Sequence, residues 1–191
     1  NLDGLTEMMD NGVQRSCFAK DGTIYLCDGT TIMVLDGNLN KLFDLTSEES
    51  LWSEFVELSD GTVGMPVYRY DQETEKSSEV LCTIDKEAKD WGAEYVMPAS
   101  SNNTYAGDNN YLFYYDTQDS LFGYKSAEED PVKILSWSAS DINKDNLQFF
   151  SILEDGRIVA MTQDWRGDSS KTELIILTEG EASALPERIN L

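Results

Sequence analysis

The sequence predicts an all-β, β-propeller-like fold of about four four-stranded blades, read as an arc of a larger propeller. Three observations predict it. Short apolar strands repeatedly flank an Asp-Gly turn, as in "AKDGTIYLCDG" (19–29), "LSDGTVGMPVY" from Leu58 and "LEDGRIVAMTQ" from Leu153. These turns recur at near-constant spacing: Asp60-Gly61 follows Asp21-Gly22 by 39 residues, Asp108-Asn109 comes 48 later and Asp155-Gly156 another 47 later. A period of about 40–50 residues is the length of one four-stranded blade. Finally, the runs between turns are short and rich in β-branched and aromatic residues, the composition of strands.

Each interval divides in the same way. Blade one (13–45) reads "SCFAK", "TIYLCD", "TTIMVLD" and "NKLFDL". Blade two (54–97) reads "EFVELS", "TVGMPVYRY", "SEVLCTID" and "GAEYVMP". Blade three (103–137) reads "NTYAG", "NYLFYYD", "DSLFGYK" and "PVKILSW". Blade four (147–185) reads "LQFFSILE", "RIVAMTQ" and "TELIILT", then a weak tail. The Asp-Gly pairs suit tight hairpins because Gly tolerates positive φ and Asp bonds its own turn backbone. One stretch, "SEESLWSEFVEL" (47–58), carries capping-box features and suggests a helical turn between blades. The rival all-β architectures are a sandwich or a barrel; four regular quartets favour blades. Four is the low end for a closed ring, and open terminal blades need covering. The expectation is therefore one propeller-like domain over 1–191, half of a larger ring or one that pairs with a second copy. Residues 186–191 read as the start of a linker to a missing domain.

Charge and composition narrow the function. The 36 Asp and Glu against 14 Lys and Arg give a net charge of −22. Nucleic acid and anionic membrane surfaces would repel such a chain. There is no histidine, which removes Ser-His, Cys-His and His-metal arrangements within these residues. The three cysteines, Cys17, Cys27 and Cys82, contain no C-x-x-C pair and read as buried free thiols. No constellation with named catalytic roles is visible, so the chain reads as non-enzymatic, with no cofactor. It begins at Asn1 and has no apolar run of membrane length, so it is expected to be a piece of something longer.

At "KILSWSASDINKDNLQFFSILEDGRIVAMTQDW" (133–165) the chain resembles a known family. The pieces are W-x-x-x-D-I-N, "LEDGRIVA", "DW" and "KTELIILT", followed by LP-x-x-x-x-L from Leu185 to Leu191. They resemble the propeller-like N-terminal region of large extracellular solute-binding lipoproteins from gut Clostridia, over residues 105–191 above all. The resemblance implies a cell-surface-anchored, extracellular setting. It also implies a downstream solute-binding domain that serves an ABC importer, and an accessory role in capturing a solute such as sugar. It supplies no binding residues.

The residues themselves offer two sets of candidates. In a propeller, strand two-to-three turns and inter-blade loops share one face. Trp52, Tyr70, Trp137 and Trp165 map there, and exposed aromatic rings stack on sugar faces. The bland alternative is that each covers a blade edge. In "DINKDN", Asp141, Asn143 and Asp145 place oxygens at alternate positions, like the start of a calcium loop. The pattern then fails, with Asn146 at position six and Ile152 at position twelve. Asp164 and Asp168 form a second weak pair, and Asn102-Asn103-Thr104 is a formal glycosylation sequon. Two other functions stay open: a protein-interaction scaffold that self-associates through open blade edges, and a carboxylate-based glycoside hydrolase or lyase.

Overall fold

A computed structural model describes residues 12–99, 101, 103–108, 110–137, 147–153, 155, 157–164, 171–177 and 187–190. It is all-β: among these residues there is no helix, and sixteen strands form four antiparallel sheets of four. The first sheet holds β1 (Arg15–Phe18), β2 (Ile24–Cys27), β3 (Thr31–Leu35) and β4 (Lys41–Thr46). The second holds β5 (Val56–Glu57), β6 (Val63–Asp71), β7 (Lys76–Asp85) and β8 (Asp90–Met97). The third holds β9 (Asn103–Asp108), β10 (Tyr111–Asp116), β11 (Ser120–Tyr124) and β12 (Val132–Ser136). The fourth holds β13 (Leu147–Ile152), β14 (Ile158–Asp164), β15 (Lys171–Leu177) and β16 (Glu187–Asn190). Every sheet is an up-and-down meander in chain order, the connectivity of a propeller blade. Internal contacts resolve the span 1–191 into two compact units of two sheets each, Asn1–Ala99 and Ser100–Leu191.

The repeated turns fold alike because they are chemically alike. In the β1–β2 hairpin, the Ala19 amide donates to Thr23 O and the Gly22 amide to Ala19 O, both at 2.9 Å. The β5–β6 hairpin repeats this, with Leu58 donating to Thr62 O at 2.7 Å and Gly61 to Leu58 O at 2.9 Å. Gly22 and Gly61 take φ of 86° and 85°, a left-handed conformation that closes a three-residue loop. The preceding Asp pins the exit: Asp21 and Asp60 each accept the amide two residues on at 2.9 Å. In the β13–β14 hairpin the Leu153 amide likewise donates to Arg157 O, at 2.8 Å.

Alternation along the strands builds the cores. In the first unit Tyr25, Cys27, Ile32 and Val34 of the first sheet pack against Val63, Met65, Val80 and Cys82 of the second. The other face of the first sheet also buries Ile24, Met33 and Leu35. A strand buried on both sides needs a continuous apolar run, which is why β3 reads "TIMVL" without polar alternation. In the second unit Tyr114, Leu121 and Ile134 pack against Ile158, Ala160 and Ile175. Fully burying each such side chain contributes roughly 1.5–3 kcal/mol.

Two local expectations are corrected. Residues 47–55 form an irregular connector rather than a helical turn. The reason is that the Leu51 amide is drawn to Gly29 O at 2.7 Å, across the connector, and Ser47 Oγ spends its capping capacity on the Glu49 amide at 3.1 Å. Residues 187–190, read as linker, instead pair as β16 with β15, Ile189 opposite Leu174. They supply the fourth strand of the last sheet, which the weak tail of blade four concealed.

Candidate functional site

Two of the candidates, Trp52 and Tyr70, belong to the first unit and are exposed. The 47–55 connector is anchored at Leu51, which is fully buried in the core between the two sheets. A second anchor is the Ser47 amide, which donates to Thr30 O at 2.9 Å. Phe55 packs beside Tyr25 with ring centroids 5.9 Å apart. Between these fixed points Trp52 is 59% exposed. A backbone held on both sides thus presents an indole to solvent.

Strand β6 adds two more rings. Tyr68 and Tyr70 are 62% and 58% exposed, and being two residues apart they share one side of the strand. Arg69 points to the opposite side. Its guanidinium donates to both oxygens of Glu94 on β8, at 2.7 and 2.6 Å, and its Nε lies 3.3 Å from Glu49 of the connector. This bridge joins the Trp52 connector to the Tyr70 end of β6. The hydrogen bonds to Glu94 push the Arg69 pKa up, and those same bonds hold the Glu94 carboxyl below its ordinary range. The β6–β7 turn closes the end of the strand: Asp71 accepts the Glu73 and Thr74 amides at 2.8 and 3.1 Å, which lowers its pKa. The two sides of β6 thus differ: Tyr68 and Tyr70 stand exposed on one, and the Arg69 bridge to Glu94 and to the Trp52 connector lies on the other.

The four-aromatic constellation does not survive intact. Trp137 is 1% exposed and belongs to the core of the second unit, packed with Ile158, Ala160 and Ile175. Its indole Nε1 donates to Thr117 O at 3.3 Å, and its amide to Asp119 O at 3.0 Å. A Trp just past a strand end can fold back over the adjoining sheet, and burial of so large a ring outweighs its exposure. Trp165, Asp141, Asn143, Asp145 and Asp168 lie outside the described residues, as does Asn102 of the sequon. Asp164 ends β14, paired with Lys171. Among the described residues no group of three or more acidic or cysteine side chains is arranged to hold a metal. Cys17, Cys27 and Cys82 are free thiols, Cys27 and Cys82 buried; burial raises the pKa of all three, Cys82 to about 11.

Sequence reasoning missed Tyr68 and the Arg69 bridge. The "YRY" alternation carried the signal for Tyr68: whichever side exposes Tyr70 also carries Tyr68. No sequence signal pairs Arg69 with Glu49 and Glu94, which lie 20 and 25 residues away.

These features define an all-β protein of four blade-like meanders that exposes Trp52, Tyr68 and Tyr70 in its first unit. No family model and no curated protein matches the chain. Among solved structures it is similar to a protein of unknown function from Bacteroides caccae, at 10% identity and a TM-score of 0.51. The likeness covers 93% of this chain but spans only 60% of that one, and it is a likeness of fold alone.

Proposed function

We propose that this chain is a non-catalytic binding segment of a secreted, surface-anchored solute-binding lipoprotein, assisting carbohydrate capture for an ABC importer. In this reading a solute-binding domain lies downstream. The observation that carries it is Trp52: an exposed indole on a connector tied down by Leu51 and by the Arg69–Glu49 bridge. A backbone anchored before binding leaves less conformational freedom to lose when its ring stacks against a sugar. Carboxylates of the same connector, such as Glu49, accept hydroxyl hydrogen bonds beside the ring. Support for the transport setting comes from the motif resemblance in residues 133–165.

A thermal-shift screen against mono- and oligosaccharides, with and without calcium, tests the reading. Saturable stabilisation by a saccharide, lost in Trp52→Ala, is the expected result. If no saccharide shifts the melting temperature, and association is concentration-dependent instead, the segment is a protein-interaction scaffold.

A further inference from the structure

The first unit also holds a cleft of about 480 Å3, a size within the range of small-molecule sites. Its floor is made by Leu58, Thr83, Ile84 and Tyr95, all buried. Asp60 of the β5–β6 turn and Asp85 and Glu87 of the β7–β8 turn stand at its rim, all exposed. Lys86, the one cationic side chain among the described residues that line it, is already paired with Asp21 of the β1–β2 turn.

The donor and acceptor balance of the cleft is one-sided. Three carboxylates only accept, with Oδ1 of Asp60 already taking the Thr62 amide and Oδ1 of Asp85 the Glu87 and Ala88 amides; the ammonium is engaged, and Thr83 Oγ1 donates to Ala93 O at 2.8 Å. Burial, and then the charge of Asp60, push the Tyr95 hydroxyl pKa up, so it stays a neutral phenol. A ligand matching this lining brings several donors, carries no negative charge, and has an apolar face for the Tyr95 ring and Leu58. An alkyl diamine would satisfy the carboxylates but leave a broad cleft unfilled. A hydroxylated ring meets these demands, since its several hydroxyls can each donate to a different rim carboxylate while a face of the ring lies on the Tyr95 and Leu58 floor. We infer that this cleft is a second small-molecule site, taking one neutral or amino-substituted sugar ring. It is separate from the Trp52 surface and does not depend on it.

The test is titration of the whole chain with glucose, glucosamine, glucuronate and putrescine, followed by calorimetry and by amide shifts of residues 58–62 and 83–95. Glucose and glucosamine are expected to bind saturably and move these resonances, with glucuronate silent. Ala93→Trp places a large ring in the cleft from an exposed position, so folding is retained and affinity falls at least tenfold. Asp60→Asn weakens glucosamine more than glucose. The shifts at 58–62 and 83–95 are followed separately from the Trp52 indole resonance, which separates the cleft from the Trp52 surface. Failure of both sugars to move the cleft resonances overturns the inference. So does equal binding of glucuronate, binding of putrescine with both sugars inert, or full affinity in Ala93→Trp.

Discussion

Arg69 grips Glu94 through two nitrogens, at 2.7 and 2.6 Å, and the same guanidinium reaches Glu49. One side chain therefore ties strand β6 to strand β8 and to the connector that displays Trp52. All three partners are more than a third exposed, so the energy is screened. Arg69→Met should cost no more than about 1 kcal/mol of stability. Its larger effect should fall on the connector: the amide resonances of residues 48–53 should broaden or shift, and protection of the Leu51 amide should drop in hydrogen exchange.

Trp137 and Trp52 should separate cleanly. Trp137→Ala removes a buried ring and should destabilise by about 3–5 kcal/mol in denaturant unfolding. Trp52→Ala removes an exposed one and should stay within about 0.5 kcal/mol of the parent.

Gly22→Ala probes the turn. An added Cβ meets nothing within 4 Å, so the cost is purely conformational, from φ of 86°. A loss of about 1–2 kcal/mol is expected, read as a lower melting temperature with unchanged far-ultraviolet dichroism.

Tyr25 sets an alkaline limit. Its hydroxyl is buried with no hydrogen-bond partner among the described residues, and burial pushes its pKa from 10.0 to about 12. A raised tyrosine pKa favours the folded state while the phenol is neutral. That contribution is full below pH 10 and is lost as pH rises through about 12. Tyr25→Phe should flatten the alkaline limb of the melting temperature. Near neutral pH it should hold or raise stability, because it deletes a buried unsatisfied hydroxyl.

At the acid end the hydrogen bond from Lys86 lowers the Asp21 pKa to about 2. Its contribution is present above 3.8 and lost as pH falls through about 2. Lys86→Met should return the Asp21 titration, followed by carboxyl NMR, toward 3.8.

Much of the fold was legible because local chemistry and global repeat agree. An Asp-Gly turn, an apolar run and a polar break recur with blade spacing, and Gly22 and Gly61 adopt the conformation that their identity permits. The helical turn at 47–58 was misread because Ser47 and Glu49 make the bonds of a cap while the Leu51 amide is claimed by Gly29 from another turn. Strand β16 was missed because Glu187, Arg188 and Asn190 leave Ile189 as its one apolar residue. It exists through pairing with β15, a non-local cause. For the site, sequence position identified Trp52 and Tyr70 as exposed aromatics, yet the same rule put Trp137 among them. A residue at a strand end can turn outward or fold inward, and only the neighbouring sheet decides which.

The most direct test of the proposed function is the indole N–H resonance of Trp52, assigned by its absence in Trp52→Phe, during titration with an oligosaccharide series. Stacking of a sugar on that ring should shift the resonance saturably and leave the buried Trp137 indole in place. An unmoved Trp52 indole across the whole series would contradict the proposal and leave Trp52 as bare surface.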